Sequence, residues 1–283
     1  MATGTWREWT ADDASAWLSR PGADDDKYRR GVLGVITGSP DYPGAAVLGV
    51  QAAYRTGVGM VRFTGPRSVR EAVLAARPET VGVAGRVQAW LLGSGMDPSK
   101  RSFRLGGDLQ RALASGLPTV LDAGGLDLVG SHLGPTVITP HRRELARLLS
   151  ERDTACAFED VDADPAGWAE RTADLLQVAV LLKGAVTHVC DPEGNLFTVT
   201  ASTHWLASAG TGDVLGGVVG ALAATHSERL ARDATAITHL AATAAFIHSE
   251  AARRASEAWD GGPVTALDVA NAVPSVVGGL LRR

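Results

Sequence analysis

Short apolar runs rich in β-branched residues recur along this chain, and glycine, proline or aspartate follows most of them. They are Gly31 to Thr37, Val58 to Phe63, Ala89 to Leu92, Pro118 to Leu121, Thr136 to Thr139 and Val178 to Leu182. Runs of this length without alternation predict strands buried on both faces. Between them lie helical segments: Ala45 to Thr56, part of a helix at Leu109 to Ser115, Arg142 to Leu149, and an amphipathic stretch from Pro165 to Leu176. Such alternation predicts an α/β fold, with a mostly parallel central sheet and right-handed crossovers.

One segment departs from that rhythm. His188 to Asp191, a turn at Pro192 to Asn195, and Leu196 to Thr200 read as an antiparallel hairpin. Asp153 to Asp164 is acidic and weakly patterned, so a surface loop is expected there. Helices dominate the end of the chain, at Val214 to Ala224, Ala231 to Ala255 and Thr265 to Leu281, with a kink or break expected at Pro274. Residues 1–29 read as a leader with a short helix ending near Leu18, and 30–283 as one domain without repeat or linker.

Composition narrows the class. Hydrophobic residues are 45% and charged residues 20% of 283, enough apolar material for a large core. A net charge of −4 and the lack of a dense Lys/Arg run argue against a nucleic-acid partner. No apolar run approaches the roughly 20 residues that span a bilayer, and Met1 to Trp17 has no apolar signal core. Cys156 and Cys190 make neither a disulfide framework nor a metal-ligand pair. The expectation is a soluble protein with reduced thiols, in the cytoplasm.

The candidate chemistry centres on Ser208-Ala209-Gly210-Thr211-Gly212-Asp213-Val214-Leu215. Small residues lead into a helix whose first turn has unpaired N–H groups, which suits a phosphate. Asp213 beside that anion could take a proton from a substrate hydroxyl. Simple helix capping by Thr211 or Asp213 is the alternative, though it leaves the glycines on both sides of Thr211 unexplained.

Other loops fall at predicted strand ends, where open α/β sheets bind ligands. Gly44-Ala45-Ala46 could admit a flat ligand or simply pack helix on sheet. Asp122 and His141 follow strands on the same edge, where either could be structural or functional. Lys183-Gly184-Ala185-Val186-Thr187 puts a lysine at a strand end, as a phosphate contact or a solvated terminus. The glycine pairs at Gly57, Gly93 and Gly210 lack the third glycine of a dinucleotide fingerprint, and no P-loop pattern occurs. His239 and His248, nine residues apart, do not share a helix face as a metal pair would.

Taken in order, these motifs resemble one family. Gly38-Ser39-Pro40-Asp41-Tyr42-Pro43-Gly44-Ala45-Ala46 is followed by Arg55-Thr56-Gly57-Val58-Gly59, Leu91-Leu92-Gly93-Ser94-Gly95 and Leu121-Asp122-Ala123-Gly124. Thr139-Pro140-His141 with Glu144, Lys183-Gly184-Ala185-Val186-Thr187 and Ala209-Gly210-Thr211-Gly212-Asp213 complete the set. The series is similar to the ADP/ATP-dependent NAD(P)H-hydrate dehydratases of the ribokinase-like superfamily, from about Gly31 to the C-terminus.

The resemblance implies a ribokinase-like α/β fold with helices on both sheet faces, and a lyase that repairs hydrated nicotinamide cofactors. The ring hydroxyl of the S form of NADH or NADPH hydrate would be phosphorylated and phosphate then eliminated. By matching position, Ala45, Gly95, His141 and Asp213 would contact the hydrate. Lys183, Gly184, Ala185, Val186, Thr187 and Gly212 would line the adenine-nucleotide site, and Ala209 to Gly212 would form the anion hole. Asp213 would be the catalytic base. Mg2+ is expected with the nucleotide, without a dedicated protein cage, and ADP is preferred to ATP because the chain is short and lacks a eukaryotic-looking targeting segment. A homotetramer and an epimerase on another chain are further expectations.

Two places depart from the family pattern. Arg142-Arg143 stands where Pro-Gly is common, and Ser202-Thr203-His204-Trp205-Leu206 replaces an Asn-rich, Gly-containing segment. A hydroxyethylthiazole- or hydroxymethylpyrimidine-type kinase, or an inactive nucleotide-binding homologue, are the alternatives these departures leave open.

Overall fold

The computed structural model describes residues 4–283. Among them the strands are β1 (Arg7–Glu8), β2 (Val32–Ile36), β3 (Met60–Phe63), β4 (Ala89–Leu92), β5 (Thr119–Leu121), β6 (Thr136–Ile138), β7 (Ala179–Leu182), β8 (Val186–Cys190) and β9 (Leu196–Thr200). The helices are α1 (Ala11–Ser15), α2 (Pro43–Thr56), α3 (Arg67–Ala76), α4 (Phe103–Leu113), α5 (Arg142–Ser150), α6 (Phe158–Ala163), α7 (Pro165–Leu176), α8 (Thr211–Thr225), α9 (Ser227–Leu230), α10 (Ala236–Glu257) and α11 (Ala266–Leu280).

All nine strands form one sheet in the order β1-β9-β8-β7-β6-β5-β4-β2-β3. The neighbours from β3 to β7 pair in parallel, β8 runs antiparallel to both β7 and β9, and β1 pairs in parallel with β9. Every residue of β2 and β7 is buried, as unalternating apolar runs require when helices cover both faces. One face is packed mainly by α2, α8, α10 and α11 around Val50, Val218, Leu240 and Val273. The other is packed by α4, α5 and α7 around Leu109, Leu145 and Ala173.

The glycines of α8 fit its central place. A Cβ at Gly217 would lie 2.2 Å from the Gly49 carbonyl of α2, so only glycine permits this backbone approach. At the other end of α2, Gly57 takes φ +111° and closes the helix in the left-handed region.

Several boundaries differ from the sequence expectation. The segment read as a leader supplies β1 and α1 and buries Trp9 and Trp17 in the core. The acidic stretch expected to be a loop contains α6, anchored by buried Val161. Helix α11 runs through Pro274 without a break, α10 starts at Ala236 rather than Ala231, and the hairpin begins at Val186. Cys156 and Cys190 are free and buried. No described helix is long and apolar enough to cross a membrane.

Candidate active site

Parallel pairing carries the ends of β2, β4, β5, β6 and β7 to one edge of the sheet. Residues far apart in sequence meet there, together with the N-terminus of α8. Gly38 and Gly95 have positive φ, at +77° and +66°, and let the two loops close on each other. A Cβ at Gly95 would come within 2.5 Å of the Ala45 Cβ, so these two expected substrate contacts adjoin at one point of this edge, outside the lining of the cavity described below.

Beneath it lies a charged cluster. Asp122, just past β5, is 2% exposed. Ser94 Oγ donates to its Oδ2 at 2.9 Å, and Thr139 Oγ1 donates to its Oδ1 at 2.8 Å. Lys183 Nζ donates to Oδ1 at 2.9 Å and lies 3.8 Å from Glu144 Oε2. Burial works against the Lys183 charge, but Asp122 and then Glu144 outweigh it and hold its pKa above the usual value.

His141 is the N-cap of α5, with a reciprocal capping pair. Its Nδ1 accepts from the Glu144 amide at 3.2 Å, while its own amide donates to Glu144 Oε2 at 2.8 Å. The Lys183 amide donates to the Pro140 carbonyl at 2.8 Å, which locks the His141 loop to the end of β7. Burial lowers the His141 pKa, against the pull of Glu144, so the ring is neutral near pH 7.

Asp213 is the third residue of α8, after Gly210 turns at φ +87°. Thr211 Oγ1 donates to the Leu206 and Ser208 carbonyls at 2.8 and 2.9 Å, fastening the loop ahead of the helix. Burial pushes the Asp213 pKa up to about 7; Asp122 adds to the rise, Lys183 opposes it, and Glu144 adds again. A carboxylate poised near neutrality is matched to proton abstraction.

Next to this helix N-terminus opens a cavity of about 600 Å3. His141, Lys183, Gly184, Ala185, Thr187 and Gly212 line one part of it, and Thr203, His204, Leu206 and His248 another. Val186 begins β8 and exposes 36% of its surface, and the cavity lining does not include it. Ala209 and Gly210 lie in the approach to α8, just behind the lining residues Thr211 and Gly212.

Both departures can now be located. Arg142 pairs with Asp162 and lies 3.5 Å from where a Gly184 Cβ would stand, at the cavity rim. Arg143 instead stacks over Phe158, 4.4 Å from the ring centre. The Ser202 amide donates to Ser249 Oγ at 2.7 Å, and Trp205 Nε1 donates to the Gly261 carbonyl at 3.0 Å. The altered segment is therefore pinned to α10 and to the turn after it.

Sequence reasoning gave no role to Glu144, Ser94, Thr139 or His248. Their common signal was position, since all but His248 follow strands of the same edge. His248 carried none, because it comes from the middle of α10.

A family model described as NAD(P)H-hydrate dehydratase matches residues 33–274. The chain belongs to this family. It is 42% identical over 227 residues to the bifunctional NAD(P)H-hydrate repair enzyme Nnr of Mycobacterium tuberculosis, covering 76% of this chain and 45% of that one. It thus spans about half the length of that relative. It is 29% identical to the ADP-dependent (S)-NAD(P)H-hydrate dehydratase of Xanthomonas campestris, over 93% of this chain and 92% of the other. The fold matches that of the Bacillus subtilis ADP/ATP-dependent NAD(P)H-hydrate dehydratase co-crystallised with ATP/Mg2+. The TM-score is 0.84 at 23% identity, and the match covers 98% of this chain and 99% of that one. A hydroxyethylthiazole kinase from Pyrococcus horikoshii fits less closely, with a TM-score of 0.60 at 18% identity over 90% and 92% of the two chains. The fold is ribokinase-like.

Proposed function

We propose that this family member dehydrates the S form of NADH or NADPH hydrate at the expense of ADP, with ATP as the lesser donor. The observation that carries the reading is Asp213, half-buried in the first turn of α8 with a pKa near 7, one residue from a cavity of nucleotide size. The hydrated ring lies against Ala45, Gly95 and His141, and the nucleotide against Lys183, Gly184, Ala185, Val186, Thr187 and Gly212.

Asp213 accepts the proton of the ring hydroxyl as its oxygen bonds to the terminal phosphorus. The P–O bond to the leaving nucleotide breaks, giving AMP from ADP. Amides of Ala209 to Gly212, at the positive end of α8, stabilise charge on the transferring group. The ring then loses phosphate and a neighbouring proton, which restores the carbon–carbon double bond.

Asp122 is already engaged by Ser94, Thr139 and Lys183, and Glu144 by the His141 amide. Among the described residues no three His, Cys, Asp or Glu side chains converge as a metal site. Mg2+ would enter with the nucleotide phosphates, where it would supply charge neutralisation. A cytoplasmic homotetramer, working with an epimerase, belongs to the same reading; the bifunctional mycobacterial relative supports the epimerase link.

Incubation with NADH hydrate, Mg2+ and either ADP or ATP tests the reading. Return of absorbance in the NADH band, with AMP and phosphate formed from ADP, is expected. Absence of that return with both nucleotides overturns it.

A further inference from the structure

A second hollow of about 620 Å3 lies at the end of β3, between the N-termini of α3 and α4. A smaller one of about 220 Å3 adjoins it, sharing Thr64, Ala84 and Asp108. Five arginines line the pair, namely Arg62, Arg67, Arg70, Arg104 and Arg111, against one acid, Asp108. Arg111 pairs with Asp108 and Arg67 with Glu71, which leaves Arg62, Arg70 and Arg104 without a carboxylate partner among the described residues, a net positive patch on a chain of net charge −4.

Two of these arginines are seated rather than loose. A Cβ at Gly82 would approach Arg70 Cδ to 3.0 Å, and one at Gly85 would approach Arg62 Cζ to 2.7 Å. Arg70 Nη1 donates to the Gly82 carbonyl at 2.9 Å, and Arg62 Nη1 to the Val83 carbonyl at 3.2 Å, leaving further guanidinium donors free. Phe103, between the lining residues Ser102 and Arg104, is 100% exposed. Clustered guanidinium groups with free forked donors suit a phosphate.

The hollow is next door to the reaction site. Val69 of α3 touches the position a Gly38 Cβ would take, at 2.7 Å, and a Gly65 Cβ would stand 3.0 Å from the Thr37 carbonyl. Lys100 Nζ, just ahead of α4, pairs with Asp41 Oδ2 at 3.1 Å across the loop that leads to Ala45.

We infer that the arginine-lined hollow between α3 and α4 holds the adenosine 2′-phosphate end of the substrate and gives the protein a preference for phosphorylated dinucleotides. Arginine is the residue suited to a 2′-phosphate, through its forked donors. The inference rests on the dehydratase reading, which supplies the dinucleotide lying across the sheet edge from Gly95 toward β3.

Equilibrium binding to the full chain tests it without turnover, with NADPH, NADH and adenosine 2′,5′-bisphosphate as probes. Arg67→Gln and Arg104→Gln replace exposed side chains, and thermal unfolding verifies that the double variant is folded. The wild-type chain is expected to bind NADPH more tightly than NADH. The double variant should cut that ratio about tenfold, with the bisphosphate weakening in parallel. Equal wild-type affinities, or a ratio unchanged in the variant, would overturn the inference. A failed dehydration assay instead removes the dehydratase reading and leaves the binding ratios readable.

Discussion

Two groups of charges sit at the carboxyl edge of the sheet, and they are built oppositely. Asp122, Lys183, Glu144 and Asp213 are enclosed, with a lysine shared between carboxylates, Thr139 donating to the same Asp122 oxygen as Lys183 and Ser94 to the other. The arginines at the end of β3 face a wide hollow, with Asp108 pairing with Arg111 and Glu71 with Arg67. Enclosure makes each charge in the first group expensive to leave unpaired, and it pushes the pKa of Asp213 up to about 7. Solvent screens the second group, so its members change ligand preference more than they change stability.

The contrast can be tested from its strongest consequence downward. Asp213→Asn should lower kcat about a thousandfold while nucleotide still binds, as single-turnover and binding measurements will read. Unaltered turnover would remove Asp213 from the proton transfer. Asp122→Ala, which strands the Lys183 ammonium in a buried site, should cost about 3–5 kcal/mol in urea unfolding at pH 7. A cost below about 1 kcal/mol would mean that Lys183 swings into solvent instead.

The pH dependence separates the groups further. Because the folded Asp213 pKa lies above its unfolded value, the unfolded chain releases the proton first as pH rises. Stability is therefore lost between about pH 4 and 7 and flat above. Asp213→Asn should remove that slope, raising stability at pH 8 by on the order of 4 kcal/mol relative to pH 4. Above pH 7 the ionised base should also give a plateau in kcat/KM, with an apparent pKa near 7.

Smaller effects come from packing and from the open hollow. Gly217→Ala drives a methyl into the Gly49 carbonyl and should destabilise by roughly 1–3 kcal/mol, read as a lower urea midpoint. Arg67→Gln loses an exposed i,i+4 pair with Glu71 and should change stability by less than about 0.5 kcal/mol. A large loss there would mark the hollow as structural.

The two groups were unequally legible in the sequence. Asp213 stands in a glycine-bracketed helix start, and His141 and Lys183 follow apolar runs, so local pattern was enough to single them out. Helix α3, which carries Arg67 and Arg70, escaped notice because its burial is confined to Val69 and Val73. The acidic stretch around α6 was taken for a loop for the same reason, since a single buried valine leaves little periodicity to read. At Pro274 the rule that proline breaks a helix gave way to the packing of α11 against α10 and α2.

By itself the sequence determined the alternation of buried strands and helices, the loops at strand ends and the glycine-bracketed start of α8. Those features depend on neighbours a few residues away, where periodicity and backbone preference act directly. Only the tertiary structure decided that Lys183 sits between Asp122 and Glu144, that Asp213 titrates near neutrality, and that five arginines converge at the end of β3. Each of these turns on distances between residues tens of positions apart, and on how much water reaches them, which strand order and helix packing set together.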